Sequence, residues 1–280
     1  MKSGNKRASR VMMEYLVFIL LLLLIALGLT VLFFYLSKQT AVSSASTKVS
    51  YQTVILDAGH GGEDGGAIGS LDGHELYEKD INLAITFMLR DMLEAEGIRV
   101  ILTREEDVLL YDRNTDYQGR KKMLDLAARL HIGENTPNAL FVSIHMNAFT
   151  QAQYKGLQVY YSPNHSLSAT LAENVQSLTR QQLQKDNDRK IKRADSSIFL
   201  LEHLTCPAVL VECGFLSNSE DCRLLSQAEY QQKIAFLLFC AIRQTLQELT
   251  PPENETVWWT KTEVLLPEDL IFDPKCLIMV

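Results

Sequence analysis

Three side chains that can bind a metal ion or move a proton follow short apolar stretches of this sequence. His60 comes after the run at residues 54–56, His145 ends the stretch LFVSIH, and Glu212 comes directly after PAVLV. Such runs predict strands that are buried on both faces, and parallel strands end at one edge of their sheet. Glu78 stands at the predicted start of the helix after the first strand. We therefore expect these four side chains to lie close together.

This set of side chains is typical of metal-assisted hydrolysis. Two imidazoles and one carboxylate form a zinc site of three protein ligands with a fourth position open for water. A further carboxylate that is not a ligand can serve as the general base. The same residue types also have structural uses, because acids at a helix start complement the helix dipole. Glu75 and Glu78 could be such capping charges, Glu212 could be a salt-bridged acid at the core edge, and Glu75 competes with Glu78 as the third ligand. We interpret the remaining histidines as structural or surface residues, namely His74, His131, His165 and His203.

Strand and helix patterns alternate along the chain and predict an α/β sheet with helices on both faces. Apolar residues recur at helical spacing between Ile81 and Leu93, and further helices are expected around residues 124–131, 166–184 and 228–249. Besides the strands already named, further strands are expected at 99–103 and 156–161. Loops are expected at residues 104–119 and at the highly charged segment 185–197, which we place near the site.

Composition excludes some classes of protein. The 280 residues carry a net charge of −7 with no basic patch, which argues against nucleic-acid binding. The five cysteines form no CxxC pair, so we expect mostly buried free thiols rather than disulfides or a thiolate zinc site.

The first 52 residues predict a membrane-tethered protein. Residues 1–14 are basic, residues 15–36 form an uncharged apolar stretch long enough to span a bilayer, and residues 37–52 are a Ser/Thr-rich tether. The basic flank places the N-terminus in the cytoplasm and the rest of the chain outside it. A cleaved signal peptide is the alternative for the apolar stretch. Residues 53–249 would form the catalytic domain, and the tail at 250–280 has no assigned role.

Four motifs carry a family resemblance over about residues 53–249: LDAGHGGEDGGAIG, EKDINLAI, SIHMNA and VECGFLSN. In their order and spacing they resemble the zinc-dependent N-acetylmuramoyl-L-alanine amidases of type 3, which act on bacterial peptidoglycan. The resemblance implies a three-layer sandwich with a mixed six-stranded sheet flanked by helices. It also implies Zn²⁺ held by His60, Glu78 and His145, with Glu212 as the catalytic residue. The bond cleaved would be the amide between N-acetylmuramic acid and L-alanine.

Within that family, the anchor, the single catalytic domain and the stretch GRKKMLDLAARLHI are most like the germination-specific amidases of the spore cortex. In those enzymes peptide removal precedes formation of the muramic δ-lactam. The sequence departs from the family pattern at two positions. Glu134 takes the place of an Asn in a motif that includes Arg129, which puts a substrate-side contact in question. Cys213 follows Glu212 at a position where an apolar residue is common in the family. The alternatives are a vegetative cell-wall amidase, an inactive membrane-tethered peptidoglycan-binding protein, and a zinc peptidase. The need for an accessory activator protein stays open.

Overall fold

The computed structural model describes residues 13, 15–30, 32, 51, 53–112, 114 and 119–249. The chain divides into two compact units, Met1–Val49 and Ser50–Val280. In the first unit, residues 15–30 are helical. Among the described residues, no helix has the length and apolar character needed to cross a membrane. Residues 31 and 33–36 of the predicted span lie outside the described residues, as do nearly all of the basic segment and the tether, and the whole of the tail at 250–280.

The second unit alternates strands and helices from Thr53 to Leu249. Its strands are β1 (Thr53–Ala58), β2 (Ile68–Leu71), β3 (His74–Tyr77), β4 (Arg99–Leu102), β5 (Ala139–Asn147), β6 (Gln158–Tyr161), β7 (Lys192–Arg193) and β8 (Ala208–Phe215). Its α-helices are α1 (Glu78–Ala95), α2 (Lys121–Glu134), α3 (Ser166–Leu178), α4 (Phe199–His203), α5 (Ser219–Leu225) and α6 (Ala228–Leu249).

Six of the strands form one mixed sheet in the order β4-β1-β5-β8-β6-β7. Neighbouring strands run parallel from β4 through β8, while β6 pairs antiparallel with β8 and parallel with β7. This confirms the expected six-stranded mixed sheet. Because β1, β5 and β8 are parallel neighbours, the residues at their carboxyl ends meet at one edge of the sheet.

Strand β1 shows why the sheet lies between two helical layers. All six of its residues are buried, and successive side chains of a strand point to opposite faces. Val54 and Leu56 belong to the core cluster that includes residues of α1, α3 and α6, whereas Ile55 joins the cluster that includes residues of α4. A strand that is apolar on both faces needs a helical layer on each side.

The structure differs from the sequence-based predictions at several short elements. Residues 68–77 form the β2–β3 hairpin, which turns at Asp72 (φ 52°) and Gly73 (φ 81°), the pair of positive φ angles that a type I′ turn requires. The helix expected at residues 166–184 ends at Leu178 and continues as a π-helical turn, Thr179–Leu183. The loop expected at 185–197 contains the short strand β7, which β6 pairs with at the sheet edge. The described part of residues 104–119 contains no helix or strand, as expected.

Candidate metal and catalytic centre

His60 lies two residues beyond β1 in a backbone conformation that is rare for a side-chain-bearing residue. Its φ is 62°, in the left-handed region. That turn brings Nε2 of the ring to 3.2 Å from Oε1 of Glu78, and Nδ1 to 2.9 Å from Oδ2 of Asp64. Nδ1 has no well-aligned hydrogen-bond partner among the described residues, and its contact with Asp64 is an ion pair when the ring is protonated. The imidazole is therefore held between two carboxylates.

Glu78 is the first residue of α1 and is almost completely buried, with 2% of its surface exposed. Its two carboxylate oxygens accept hydrogen bonds from the main chain: the Ala67 N–H donates to Oε2 (2.6 Å) and the Met146 N–H donates to Oε1 (2.9 Å). The Asn82 amide also donates to Oε1, at 3.3 Å. These donors fix the carboxylate in one orientation.

His145 reaches the same carboxylate from β5, with its Nδ1 2.9 Å from Oε1 of Glu78. The rings of His60 and His145 meet edge to face with centroids 4.9 Å apart. Two glycines make this packing possible. A Cβ at Gly59 would lie 2.2 Å from Cε1 of His145, and a Cβ at Gly66 would lie 2.4 Å from Oε2 of Glu78.

The residues His60, Glu78 and His145 form a set that could hold a metal ion. Each offers one ligand atom, and these atoms all lie within 4.8 Å of one another. Burial alone would raise the pKa of Glu78, but the two imidazoles hold it well below its usual range. Burial alone would lower the pKa of His60, but Asp64 and Glu78 raise it to about 9. The cluster thus stabilises positive charge, and its two imidazoles and one carboxylate are a donor set that suits zinc.

Glu212 lies on β8 directly opposite His145 on β5. Its Oε2 is buried and has no hydrogen-bond partner among the described residues. Burial raises the pKa of Glu212 to about 7; His145 opposes this rise and Glu78 adds to it. A carboxylate with a free oxygen and a pKa near neutrality can both accept and return a proton, which is the property of a general acid–base group.

A buried arginine holds the backbone beneath the centre. Arg129 of α2 is 1% exposed and forms ion pairs with Asp57 (2.6 Å) and Asp125 (2.8 Å). It also donates to the carbonyls of Ala58 (2.7 Å) and His60 (2.8 Å). Burial alone would lower the pKa of Arg129, but the two carboxylates raise it above its usual value, so it stays charged.

Arg104 approaches the same turn from the other side. Its guanidinium donates to the carbonyls of Ala58 (2.9 Å), Gly59 (3.1 Å) and Lys79 (2.8 Å). Three successive carbonyls, from Ala58 to His60, therefore bind one or both of these arginines. Sequence reasoning missed this support, although an Asp inside the apolar run TVILDA was a signal for it.

The structure separates the remaining sequence candidates from the centre. Glu75 on β3 is exposed and accepts a hydrogen bond from Tyr77. Among the other histidines, His165 caps α3 and contacts Tyr51, and His131 contacts Asn135, the residue that follows α2. None of His74, His131, His165 and His203 belongs to the set of described residues that could hold a metal ion.

The two departures from the family motifs have structural explanations. Oε1 of Glu134 accepts hydrogen bonds from the Thr205 main chain (2.8 Å) and hydroxyl (3.1 Å), so this side chain anchors the segment before β8. Arg129, being buried, does not face a substrate. Cys213 is buried in the core as a free thiol.

Comparison with known proteins agrees with this geometry. The sequence model of a family described as N-acetylmuramoyl-L-alanine amidase matches residues 54–244. The germination-specific N-acetylmuramoyl-L-alanine amidase of Bacillus subtilis (strain 168) is 34% identical over 232 residues, which cover 81% of this chain and 95% of that protein. The structure of the CwlD amidase from Clostridioides difficile in complex with the GerS lipoprotein superposes with a TM-score of 0.65 at 42% identity, covering 70% of this chain and 99% of the other. The amidase AmiC2 of Nostoc punctiforme gives 0.57 at 33% identity, covering 70% and 98%.

Proposed function

This chain belongs to the N-acetylmuramoyl-L-alanine amidase family, and from that membership we propose a zinc-dependent mechanism in which His60, Glu78 and His145 hold the metal and Glu212 is the catalytic acid–base. The bond cleaved is the amide between N-acetylmuramic acid and the L-alanine of the stem peptide. The observation that carries the proposal is the position of Glu212 beside the cluster, with one buried oxygen left without a partner. An inactive binding protein would have no need of such a group.

The three ligand residues are supplied by rigid parts of the fold. His60 follows β1, Glu78 starts α1, and His145 lies on β5. Zn²⁺ bound there would polarise the amide carbonyl and lower the pKa of a water molecule. Asp64 faces the second ring nitrogen of His60, and a carboxylate in that place fixes the tautomer and orientation of a ligand imidazole.

Glu212 moves the proton. Its carboxylate accepts a proton from the attacking water and then delivers a proton to the amine of L-alanine as the C–N bond breaks. Burial raises the pKa of Glu212 above the ordinary range of a carboxyl group, which makes the protonated form that returns the proton easier to reach. The products are a peptide-free glycan and a free stem peptide whose first residue is L-alanine.

We further propose that the enzyme acts on spore-cortex peptidoglycan from the membrane surface. The resemblance to the germination-specific relative supports the spore setting, and the uncharged stretch at residues 15–36 supports a single membrane anchor with the catalytic domain outside the cytoplasm. The CwlD amidase of C. difficile was solved with a lipoprotein, which supports an accessory protein as a partner here too.

The test is to digest purified peptidoglycan with the full chain, solubilised in detergent and supplied with zinc, and to identify the products by mass spectrometry. We expect stem peptides that begin with L-alanine, and we expect a chelator to abolish their release and added zinc to restore it. Peptides cut between two amino acids would instead indicate a peptidase. Release that survives metal removal would contradict the zinc mechanism.

A further inference from the structure

Two aromatic side chains on the loop that follows β5 are left in contact with solvent. Phe149 is 51% exposed and Tyr154 is 40% exposed. Among the described residues from Tyr51 onward, these are the two Phe, Tyr or Trp side chains that are largely exposed to solvent. Their rings pack edge to face, with centroids 5.1 Å apart and an interplanar angle of 89°. Exposed apolar surface of this kind is typical of a binding site rather than of the core.

The pair lies on the loop that leads away from the centre. That loop connects β5, which carries His145, to β6. Phe149 is four residues beyond His145, so the chain allows their Cα atoms to be at most about 14 Å apart. The Phe149 N–H donates to the Ser217 hydroxyl (3.0 Å), and Ser217 comes shortly after Glu212 in the chain. The aromatic pair is therefore at the same sheet edge as the catalytic groups.

The loop is fixed by the segment that follows β8. The Asn218 amide donates to the Ala152 carbonyl (2.6 Å), and the Gly156 N–H donates to Asp221 (2.8 Å). Lys155 pairs with Glu220 at 2.7 Å, which neutralises the cation next to Tyr154. A loop already ordered in this way loses little conformational entropy on binding a ligand. The result is a pre-organised, uncharged aromatic surface.

We propose that the Phe149–Tyr154 pair binds the glycan strand of the substrate by stacking against its sugar rings. This inference rests on the proposed function, in which the substrate is peptidoglycan and therefore contains a glycan strand. A pyranose ring presents an apolar face of C–H groups, and such a face packs well on the flat face or edge of an aromatic ring. The stem peptide carries carboxylates, for which an uncharged aromatic pair has no complementary group. The pair thus recognises the sugar side of the scissile amide.

The test measures binding of peptide-free glycan strands, which contain no scissile amide, to the full zinc-loaded chain by isothermal titration calorimetry. We expect the Phe149→Ala/Tyr154→Ala variant to bind about tenfold more weakly, from the size of single aromatic contacts. Its KM for peptidoglycan should rise by a similar factor while kcat stays within twofold. Phe149→Tyr should keep the affinity, whereas Phe149→Leu, which retains apolar bulk without a flat ring, should lose it. Phe87→Ala, which removes a partly exposed aromatic ring from the middle of α1, is the matched control.

The outcomes separate this inference from the proposed function. If stem peptides are released but the double variant binds glycan as the wild type does, the stacking role is wrong and the amidase assignment stands. If Phe149→Leu binds as well as the wild type, apolar packing rather than stacking would explain the pair, which also overturns the inference. Weaker glycan binding by the double variant, in a chain that releases no stem peptide, would support the inference and contradict the proposed activity.

Discussion

The guanidinium of Arg129 donates a 2.8 Å hydrogen bond to the main-chain carbonyl of His60, so a fully buried arginine holds the backbone of a candidate metal ligand. His60 needs this support because its φ of 62° is unfavourable for a residue with a side chain, at a cost of about 1–3 kcal/mol. The arginine is itself fixed by Asp57 and Asp125. Catalytic geometry and core stability are therefore coupled through one side chain.

Replacing Arg129 should weaken zinc binding. Arg129→Lys keeps the positive charge but loses the planar fork that binds the carboxylates and carbonyls together, so we expect zinc affinity to fall by about 10–100-fold in a folded protein. Arg129→Ala leaves two buried carboxylates unpaired and should destabilise the fold by about 3–5 kcal/mol. Competition with a chelating dye measures the zinc affinity, and urea unfolding measures the stability. Arg90→Lys, in a surface ion pair with Asp91, is the control. Wild-type zinc affinity in Arg129→Lys would contradict the coupling.

Asp57 should contribute to the loss of stability in acid. Burial alone would raise its pKa, but Arg129 and the Ser143 and Thr103 hydroxyls hold the pKa below its ordinary value. A group whose pKa is lowered by folding stabilises the protein fully above its unfolded pKa of about 4, and this contribution is lost as the pH falls below that value. The free energy of unfolding of Asp57→Asn should therefore fall less steeply than that of the wild type as the pH is lowered from 5 towards 2. Equal slopes in urea unfolding would show that Asp57 plays no such part.

Asp64 should matter for metal affinity although it is not in the metal-binding set. Its carboxylate lies 2.9 Å from Nδ1 of His60, and from that position it would orient the ring if His60 binds zinc as we propose. Removing such a partner lowers metal affinity by about 10–100-fold, and we expect that loss in Asp64→Ala. Asp195→Ala, at an exposed turn, is the control. Equal zinc affinity in the two variants would remove Asp64 from the site.

Gly59 should not tolerate even one methyl group. The Cβ of Gly59→Ala would lie 2.2 Å from Cε1 of His145 and would displace that ring from Glu78. We expect zinc affinity and turnover to fall by at least tenfold while far-UV circular dichroism shows a folded protein. Gly65→Ala, in the same loop, places its Cβ 3.0 Å from the Tyr77 ring rather than against a ligand residue, and it should keep zinc. If the two variants bind zinc equally, the close packing of His145 against Gly59 is not needed for zinc binding.

That His60, His145 and Glu212 lie at one sheet edge could be predicted from the residues for one physical reason, whereas the choice of Glu78 over Glu75 and the six-stranded mixed sheet came from the family resemblance. Strands buried on both faces must be apolar, so a His or Glu directly beyond such a run is conspicuous, and parallel strands bring those positions to one edge. The runs before His60, His145 and Glu212 all have this form. The position of these residues at strand ends predicted that they lie together, which their residue types alone did not predict.

The elements that the sequence did not reveal depend on partners distant in the chain. β7 is two exposed residues, Lys192 and Arg193, which become a strand only because β6 pairs with them. The β2–β3 hairpin is largely exposed and has no apolar run, and only Asp72-Gly73 marked its turn. The buried role of Arg129 depends on Asp57, 72 residues away. No local sequence pattern predicts a contact between residues so far apart in the chain.

The most direct test is to measure zinc content and turnover together in Glu212→Gln. The substitution removes the proton acceptor and spares all three proposed ligands, so we predict a full complement of zinc by atomic absorption and a fall in kcat of about 10²–10⁴-fold. His145→Ala is the complement and should lose zinc as well as activity. Zinc retained and turnover lost in Glu212→Gln would establish the division between metal ligands and acid–base group. Wild-type turnover in that variant would contradict it.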